Sequence, residues 1–341
     1  MHKIRVLVVD DSMLARQMIV RHLSAHPRIE VVGEAINAAD ARKKAMALSP
    51  DVMTLDVEMP GTSGIDFLKE FLPRHPLPVI LVSSLNLRVF DALAAGAVDF
   101  VRKPGPEQNR EAFLASLTQK VLIASSARPR TVRPAGPAPT ARRGPAPSAR
   151  QPQVVIGLGA STGGTEATLE VLRRLPKDTP GIVVVQHMPV GFTKMYAERL
   201  DRLCQMEVRE AVSGDEIRPG LVLIAPAGVQ TKVVRMQNRY TVACQPGPKV
   251  SGHCPSVDHL FSSMASAVKC HMVGIIMTGM GRDGASGLLA MRQAGAYTIG
   301  QDKDSCVVYG MPMEAYKLGA VAVQAPCEGI AAALLSHLNQ L

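Results

Sequence analysis

Short runs of valine, isoleucine and leucine alternate with segments of helical periodicity along most of the chain. In the first third of the chain these runs predict strands at Ile4–Val9, Glu30–Gly33, Val52–Asp56, Val79–Val82 and Val98–Arg102. The segments between and after them predict helices near Ser12–Ala25, Ala38–Leu48, Gly64–Arg74, Val89–Ala95 and Glu111–Ala124. Buried strands that alternate with helices are typical of a parallel sheet covered on both faces.

The same alternation resumes in the C-terminal half. Strands are predicted at Val154–Leu158, Ile182–Val185, Val222–Ile224 and Val273–Thr278, and a closing helix at Gly329–Leu341. One helical face is formed by apolar residues at helical spacing, namely Val257, Leu260, Phe261, Met264 and Val268. The predicted fold class is therefore α/β, with two doubly wound parallel-sheet domains.

A segment of different composition separates the two halves. Residues 126–152 are rich in proline, alanine, glycine and arginine, and contain almost nothing that a hydrophobic core would accept. Such a composition predicts an extended, semi-flexible spacer. The predicted organisation is a domain at 1–125, a linker at 126–152 and a domain at 153–341, which suits a chain of 341 residues.

The charge and composition argue against several classes of protein. The net charge of +9 is concentrated in the linker, which holds six arginines and no acidic residue, and with 4 % aromatic residues there is little for bases to stack on. No apolar run approaches the roughly 18 residues of a membrane span, and the start MHKIRVLVVDDS meets two aspartates too early for a signal peptide. We therefore expect a cytoplasmic protein without nucleic-acid binding or membrane insertion.

All six cysteines lie in the C-terminal half, without a CxxC pair, and we expect reduced, mostly buried thiols. His253-Cys254 and Cys270-His271 match no zinc-site spacing, since adjacent residues of an extended segment point to opposite faces. The sequence gives no reason to expect a metal in the C-terminal domain.

Polar residues follow the predicted strands of the first domain. Asp10 and Asp11 end the first strand, Asp56 the third, Ser83 the fourth, and Lys103 the fifth. The carboxyl ends of such strands converge on one crevice, where neighbouring carboxylates need a cation, and oxygen ligands suit Mg²⁺. Asp56 is then the candidate acceptor of a phosphoryl group. A simpler alternative for a single residue is that Asp11 or the following serine caps the first helix.

The segments VVDDS, TLDVEMPGTSG, ILVSS and DFVRKP together resemble the bacterial response-regulator receiver family, over residues 1 to about 124. The resemblance implies a flavodoxin-like fold and phosphorylation of Asp56 by a histidine kinase. It also implies a Mg²⁺ ion held by Asp10, Asp11, Asp56 and the backbone carbonyl of Glu58. Conformational coupling is expected to run through Ser83, Lys103 and Phe100.

The segment VVIGLGASTGG places Ser161 directly after a predicted strand, within a G-x-S-x-G spacing. Small flanking residues permit a sharp turn that exposes the hydroxyl and aims backbone N–H groups at a developing oxyanion. The same glycines are compatible with dinucleotide binding at a helix N-terminus. That alternative is disfavoured because the spacing is G-x-G-x-x-x-G and no clear ribose-binding acid ends the next strand.

A serine nucleophile needs a base and an orienting carboxylate. His187 ends the strand IVVVQHMP, and Asp283 lies in the glycine-rich turn TGMGRDG. Singly, Ser161 and Asp283 are also compatible with helix caps, and His187 with an ordinary polar residue. Rival bases are His253, His259, His271 and His337. Asp258 is a rival acid, although a helix beginning near Ser256 explains it as first-turn charge.

The segments GASTGG, QHMPVGFT, PSVDHLF, TGMGRDGA and VYGMP, in that order, resemble the catalytic domain of chemotaxis protein-glutamate methylesterases, from about residue 153 to the end. The resemblance implies a Rossmann-like domain without a cofactor. It assigns Ser161 as nucleophile, His187 as general base and Asp283 as orienting acid, with the backbone N–H groups of Thr162 and Met280 holding the oxyanion. Gln230 departs from the histidine expected in many relatives, and the sequence assigns it no function.

Together the two resemblances imply a phosphorylation-activated hydrolase for sensory adaptation. It would remove methyl esters from glutamate side chains on the cytoplasmic region of a chemoreceptor, and deamidate receptor glutamines by the same chemistry. A histidine kinase is the expected phosphodonor, and a monomer is expected. Two other classes remain open from the residues alone: a non-catalytic, phosphorylation-dependent adaptor and a nicotinamide oxidoreductase.

Overall fold

The computed structural model describes residues 3–83, 88–105, 109–128 and 153–341. The chain divides into two compact units, Met1–Pro134 and Ala135–Leu341, and each is described by itself. Most of the predicted spacer at 126–152 lies outside the described residues, which stop at 128 and resume at 153.

The first unit consists of alternating strands and helices. Its strands are β1 (Ile4–Val9), β2 (Ile29–Ala35), β3 (Val52–Asp56), β4 (Val79–Ser83) and β5 (Asp99–Arg102). Its helices are α1 (Met13–Ser24), α2 (Ala38–Leu48), α3 (Gly64–Phe71), α4 (Arg88–Ala94) and α5 (Arg110–Ala124). All strand pairs are parallel, in the order β2-β1-β3-β4-β5. This is the flavodoxin-like doubly wound order. In such folds the ligand crevice lies at the carboxyl ends of β1 and β3, where the strand order reverses.

Local sequence explains where several helices begin. Ser12, Asn37, Ser63 and Asn109 each accept a backbone N–H from the first turn of the following helix. The cap of α1 is therefore Ser12, and Asp11 remains exposed on the rim of the crevice. The strands β1, β3 and β4 form the centre of the core, since their apolar side chains are buried.

The second unit is larger. Its strands are β6 (Val154–Ala160), β7 (Ile182–Gln186), β8 (Glu207–Glu210), β9 (Leu221–Ile224), β10 (Gln230–Met236), β11 (Arg239–Gln245), β12 (His271–Ile276), β13 (Tyr297–Gln301) and β14 (Val323–Ala325). Its helices are α6 (Gly164–Leu172), α7 (Phe192–Leu203), α8 (Val257–Ala267), α9 (Ala285–Gln293), α10 (Met311–Lys317) and α11 (Ile330–Leu338).

Seven of these strands form one parallel sheet, in the order β14-β13-β12-β6-β7-β9-β8, and β10 and β11 form a separate antiparallel pair. The predicted pair of doubly wound parallel-sheet domains is thus confirmed. The sequence did not reveal the short or polar strands β8, β13 and β14, nor the hairpin of β10 and β11. The strands that follow β6 in sequence are added first on its β7 side and later on its β12 side. The strand order therefore reverses at β6, which is where ligands bind in such sheets.

Two glycines of the serine-containing segment have a packing role inside β6. A Cβ atom added to Gly157 would lie 2.6 Å from the sulfur of Met264, and one added to Gly159 would lie 2.2 Å from Cγ1 of Val257. Both contacts are with α8, so β6 and α8 approach each other too closely for side chains at these positions. Close helix packing therefore explains these glycines without a bound pyrophosphate.

None of the six cysteines, all of which lie in the described part of the second unit, is in a disulfide. Only Cys306 and Cys327 are buried, so the prediction of mostly buried thiols was wrong for the other four, which are half-buried. Within the described ranges, no helix has both the length and the apolar character that crossing a bilayer requires.

Candidate active site and phosphate-accepting site

Ser161 is the first residue beyond the C-terminal end of β6. Its backbone N–H donates to the carbonyl of Thr278 at 3.0 Å, and its own carbonyl accepts from the N–H of Gly164 at 2.8 Å. Gly163 adopts a left-handed conformation, with φ of 77°, and α6 begins directly after it. The turn therefore reverses within three residues of the serine, which the sequence pattern had predicted.

A second glycine-rich turn lies against this serine. A Cβ atom added to Gly279 would lie 2.6 Å from the Cβ of Ser161, so no side chain is tolerated there. The hydroxyl of Thr278 ties the two turns together by donating to the carbonyl of Thr162 at 3.0 Å. Met280, the residue after the glycine, is 46 % exposed. The backbone N–H of Met280 thus comes directly after Gly279, the residue that approaches Ser161 most closely in this turn.

His187 follows β7, the strand next to β6. Its backbone N–H donates to the carbonyl of Ala160 at 3.1 Å, and its Nε2 lies 2.8 Å from Oδ2 of Asp283. An ionised carboxylate only accepts hydrogen bonds, so Nε2 carries the proton of the neutral ring. The other nitrogen, Nδ1, is buried and has no hydrogen-bond partner among the described residues. Nδ1 is therefore the atom available to receive a proton.

Asp283 is 1 % exposed and receives hydrogen bonds from the N-terminus of α8. Its Oδ1 accepts from the Ser256 hydroxyl at 2.7 Å and the Asp258 N–H at 2.9 Å, and its Oδ2 accepts from the Val257 N–H at 2.9 Å. Burial raises the pKa of this carboxyl. Hydrogen bonding and charge from His187, with the bonds from α8, outweigh burial and hold the pKa below the ordinary 3.8. The carboxylate is thus fixed in its ionised form.

Asp258 lies in the first turn of α8, as predicted, but its carboxylate is buried. It is only 8 % exposed, its Oδ1 accepts from the N–H of Gly287 at 2.8 Å, and its Oδ2 accepts from the hydroxyl of Ser251 at 2.7 Å. The side chain therefore links α8 to α9 through Oδ1 and to the loop before α8 through Oδ2. The Asp283 carboxylate is the one that contacts His187.

Among the rival histidines, His253 lies at the site. Its ring stacks on that of His187, with centroids 3.8 Å apart and planes inclined by 1°, and its Nδ1 lies 3.8 Å from Oδ2 of Asp283. By contrast, His337 stacks on Tyr297 at 4.0 Å, at the beginning of β13 and so at the opposite edge of the sheet. The sequence gave no signal for the stacked pair, because His253 follows no strand.

His187, His253 and Asp283 offer ligand atoms within 4.8 Å of one another. Ring nitrogens bind metals through lone pairs that lie in the ring plane, and two parallel rings direct these along separate planes. The stacked arrangement therefore does not converge on one ion.

Gln230 begins β10 and is buried beside the loop that carries His253. Its Nε2 donates to the carbonyls of Pro248 at 2.9 Å and His253 at 3.0 Å, while its Oε1 accepts from the N–H of Ser256 at 3.0 Å. All three bonds satisfy backbone groups of residues 248–256. The side chain to which the sequence assigned no function therefore fixes the shape of that loop.

In the first unit, the predicted polar residues meet at the ends of β1, β3 and β5. Nζ of Lys103 lies 2.8 Å from Oδ2 of Asp10 and 2.5 Å from Oδ2 of Asp56, and the N–H of Glu58 donates to Oδ1 of Asp56 at 3.0 Å. Asp10, Asp11 and Asp56 offer carboxylate oxygens within 4.8 Å of one another. Three such groups with one lysine leave excess negative charge, which fits a divalent cation with oxygen ligands.

Burial and neighbouring charges shift the pKa values of Asp56 and Lys103 in this cluster. Burial raises the pKa of Asp56, and the nearby charge of Asp10 raises it further, while Lys103 and the N–H of Glu58 only partly offset them. Burial lowers the pKa of Lys103, but its bonds to the two aspartates outweigh that effect and leave the pKa raised. The lysine therefore stays charged between the carboxylates.

Ser83 ends β4, and Phe100 lies on the neighbouring strand β5. Ser83 is 0 % exposed, and its hydroxyl has no hydrogen-bond partner within the described ranges. Phe100 is buried with its ring edge-on to Phe90 at 6.5 Å. The N–H of Lys103 donates to the Ser83 carbonyl at 2.7 Å, so the strand ends that carry these side chains are joined.

Two family models match separate regions of the chain. The model described as CheB methylesterase matches residues 156–334, and the model described as response regulator receiver domain matches residues 6–114. The crystal structure of the Thermotoga maritima CheB methylesterase catalytic domain is 34 % identical, with a TM-score of 0.53, and the match covers 55 % of this chain and 99 % of that one.

Curated relatives match over the whole length. The protein-glutamate methylesterase/protein-glutamine glutaminase 2 of Syntrophomonas wolfei is 51 % identical, over 100 % of this chain and 99 % of the relative. The protein-glutamate methylesterase/protein-glutamine glutaminase of Bordetella bronchiseptica is 45 % identical, over 99 % of this chain and 98 % of the relative. Both regions of the chain and their order are therefore shared with these proteins.

Proposed function

The chain belongs to the CheB methylesterase family and carries a response regulator receiver domain, and from this premise we propose that it demethylates chemoreceptors under control of phosphorylation. The substrate is a methylated glutamate side chain on the cytoplasmic region of a receptor, and the outcome is sensory adaptation. A histidine kinase supplies the phosphoryl group. The protein works as a cytoplasmic monomer, with domains at 1–125 and 153–341 and a linker at 126–152.

In the proposed acylation step, the Oγ of Ser161 attacks the ester carbonyl carbon while its proton moves to Nδ1 of His187. The Asp283 carboxylate, which accepts from Nε2, fixes the tautomer and stabilises the imidazolium. The backbone N–H groups of Thr162 and Met280 hold the oxyanion. As the carbonyl re-forms, the bond to the methoxy group breaks and methanol leaves with the proton from His187.

Deacylation uses the same residues. Water attacks the acyl carbon, gives one proton to His187, and displaces the Ser161 oxygen, which recovers that proton. The products are a glutamate carboxylate and a proton, so the net reaction consumes one ester and one water and releases methanol. A glutamine side chain presents the same carbonyl with an amide leaving group, and the names of both relatives include glutaminase activity. We include deamidation with release of ammonia in the proposal.

Control begins at Asp56, which accepts the phosphoryl group. Asp10, Asp11 and Asp56, with the backbone carbonyl of Glu58, would hold a Mg²⁺ ion, which would neutralise charge during this transfer. The unpartnered hydroxyl of Ser83 is suited to donate to a phosphoryl oxygen, and Lys103 and Phe100 respond with it. Phosphorylation adds about −1.5 to −2 charge and relieves inhibition of the esterase by the receiver domain.

The observation that carries the hydrolase proposal is the hydrogen bond of 2.8 Å between Asp283 and His187, which follows the strand next to the one that Ser161 follows. Ser161→Ala in the full-length chain should lower methanol release from methylated receptor by about 10⁶-fold. Thr165→Ala, also on the segment after β6, is the matched control for loss of one hydroxyl and should retain activity. Undiminished methanol release by folded Ser161→Ala would refute the assignment.

A fluorophosphonate probe distinguishes a serine hydrolase from a non-catalytic adaptor. A serine hydrolase should be labelled at Ser161, whereas a non-catalytic adaptor would not react. A nicotinamide oxidoreductase would change the fluorescence of added NADH on binding, and we expect no change.

A further inference from the structure

The stacked contact between His253 and His187 is the strongest feature that the proposed triad leaves unexplained. The rings lie face to face, 3.8 Å apart and within 1° of parallel. In the proposed reaction His187 must keep one nitrogen on Asp283 and the other free. A single hydrogen bond from Nε2 fixes one point of the ring but leaves it able to rock about that point, since the terminal torsion of histidine has a broad minimum.

The loop that carries His253 is held rigidly. The backbones of Val250 and His253 exchange two hydrogen bonds, of 3.0 and 2.9 Å, and Nδ1 of His253 lies 2.9 Å from the carbonyl of Ser251. A carbonyl accepts only, so this contact places the ring proton on Nδ1. The Gln230 amide binds the same loop at both ends, through Pro248 and Ser256. The ring of His253 is therefore fixed independently of His187.

The charge around His253 favours its neutral form. Burial and the neighbouring His187 lower its pKa, Lys249 acts in the same direction, and Asp283 opposes them. A neutral ring is compatible with a partner that becomes imidazolium during the reaction. A charged ring at 3.8 Å would repel that imidazolium.

We propose that His253 is a positioning residue for the hydrolytic reaction: its ring covers one face of the His187 imidazole and holds it in the plane in which Nε2 meets Asp283 and Nδ1 remains for Ser161. The inference rests on the proposed function, since it requires His187 to be the base. His253 forms no bond in the proposed reaction and acts through its contact with His187.

The test uses the full-length chain. His253→Ala should lower kcat by about 10- to 100-fold with little change in KM, the size of effect expected when a catalytic group is misplaced. His253→Phe restores a flat ring and should recover most of that loss. If His253→Ala keeps the wild-type kcat, or if His253→Phe is as impaired as His253→Ala, the stacking role is refuted.

His337→Ala is the matched control, because it also removes a half-buried imidazole from an aromatic stack, that with Tyr297, far from the triad. It should leave kcat unchanged. The rate of fluorophosphonate labelling at Ser161 provides a readout that needs no receptor. Slower labelling of His253→Ala supports the inference even if the receptor is the wrong substrate, whereas labelling at the wild-type rate contradicts it.

Discussion

A Cβ atom added to Gly279 would lie 2.6 Å from the Cβ of Ser161 and 2.4 Å from the sulfur of Met311. The glycine therefore permits the turn before Met280 to lie against the candidate nucleophile. The positions of Ser161 and Met280 both depend on this close approach between two turns, whose residues Ser161 and Gly279 are 118 residues apart in sequence.

Gly279→Ala should consequently disturb Ser161 directly. We expect a loss of kcat of about 10²-fold, because the added methyl displaces either the serine or the proposed oxyanion donor. The melting temperature should fall modestly, as for overpacking that costs about 1–3 kcal/mol. Gly329→Ala adds the same methyl beside Pro326, at 3.1 Å, and serves as the control that should remain active. Wild-type kcat in Gly279→Ala would show that this contact does not set the geometry.

Asp56→Asn should keep basal methanol release but lose stimulation by a small phosphodonor with Mg²⁺. The reason is that the amide cannot accept the phosphoryl group, while the triad residues are unaltered. Stimulation is measured as the ratio of rates with and without phosphodonor. Asp66→Asn, at an exposed position of α3, is the control and should respond like wild type. A retained response in Asp56→Asn would move the phosphosite to another residue.

The excised segment 153–341 should be faster than the unphosphorylated full-length chain. If the receiver inhibits the esterase with a coupling free energy of about 1–3 kcal/mol, the ratio of the rates should be about five- to 150-fold. Methanol release at equal molar concentrations measures it. Phosphorylated full-length protein should approach the rate of the segment, and equal rates for the segment and the unphosphorylated chain would contradict inhibition.

Asp283 should make the stability of the second unit depend on pH. Its pKa is lowered in the folded protein, so its contribution is present above the unfolded value and is lost as pH falls through the folded pKa. Asp283→Asn should therefore cost about 1–3 kcal/mol at pH 7, and the difference from wild type should shrink below about pH 4.

Urea unfolding followed by tyrosine emission measures this difference in the full-length chain. All five tyrosines lie between residues 196 and 316, and the chain has no tryptophan, so the emission reports on the second unit. Asp302→Asn, in the loop after β13, is the control for loss of a carboxylate away from His187. A difference between Asp283→Asn and wild type that is independent of pH would contradict the lowered pKa.

Local patterns in the sequence predicted much of the fold. Runs such as Ile4–Val9 and Val52–Asp56 were identified as strands with the bounds that the structure has, because mostly apolar runs suit strands buried on both faces. The strand β8 (EVRE) and the hairpin of β10 and β11 were missed, because edge strands and two-sided hairpins carry polar residues. The helix α3 ends at Phe71, earlier than the predicted Arg74.

The sequence by itself determined which segments follow strands and which residues are candidates for chemistry: a serine between glycines and acidic residues at strand ends. Only the tertiary structure decided which side chains meet. It joined His187 to Asp283, stacked His253 on His187, and turned Asp258 into a buried link between helices. The physical reason is that motifs reflect local backbone geometry, whereas these contacts join segments that the order of β7, β6 and β12 in the sheet brings together.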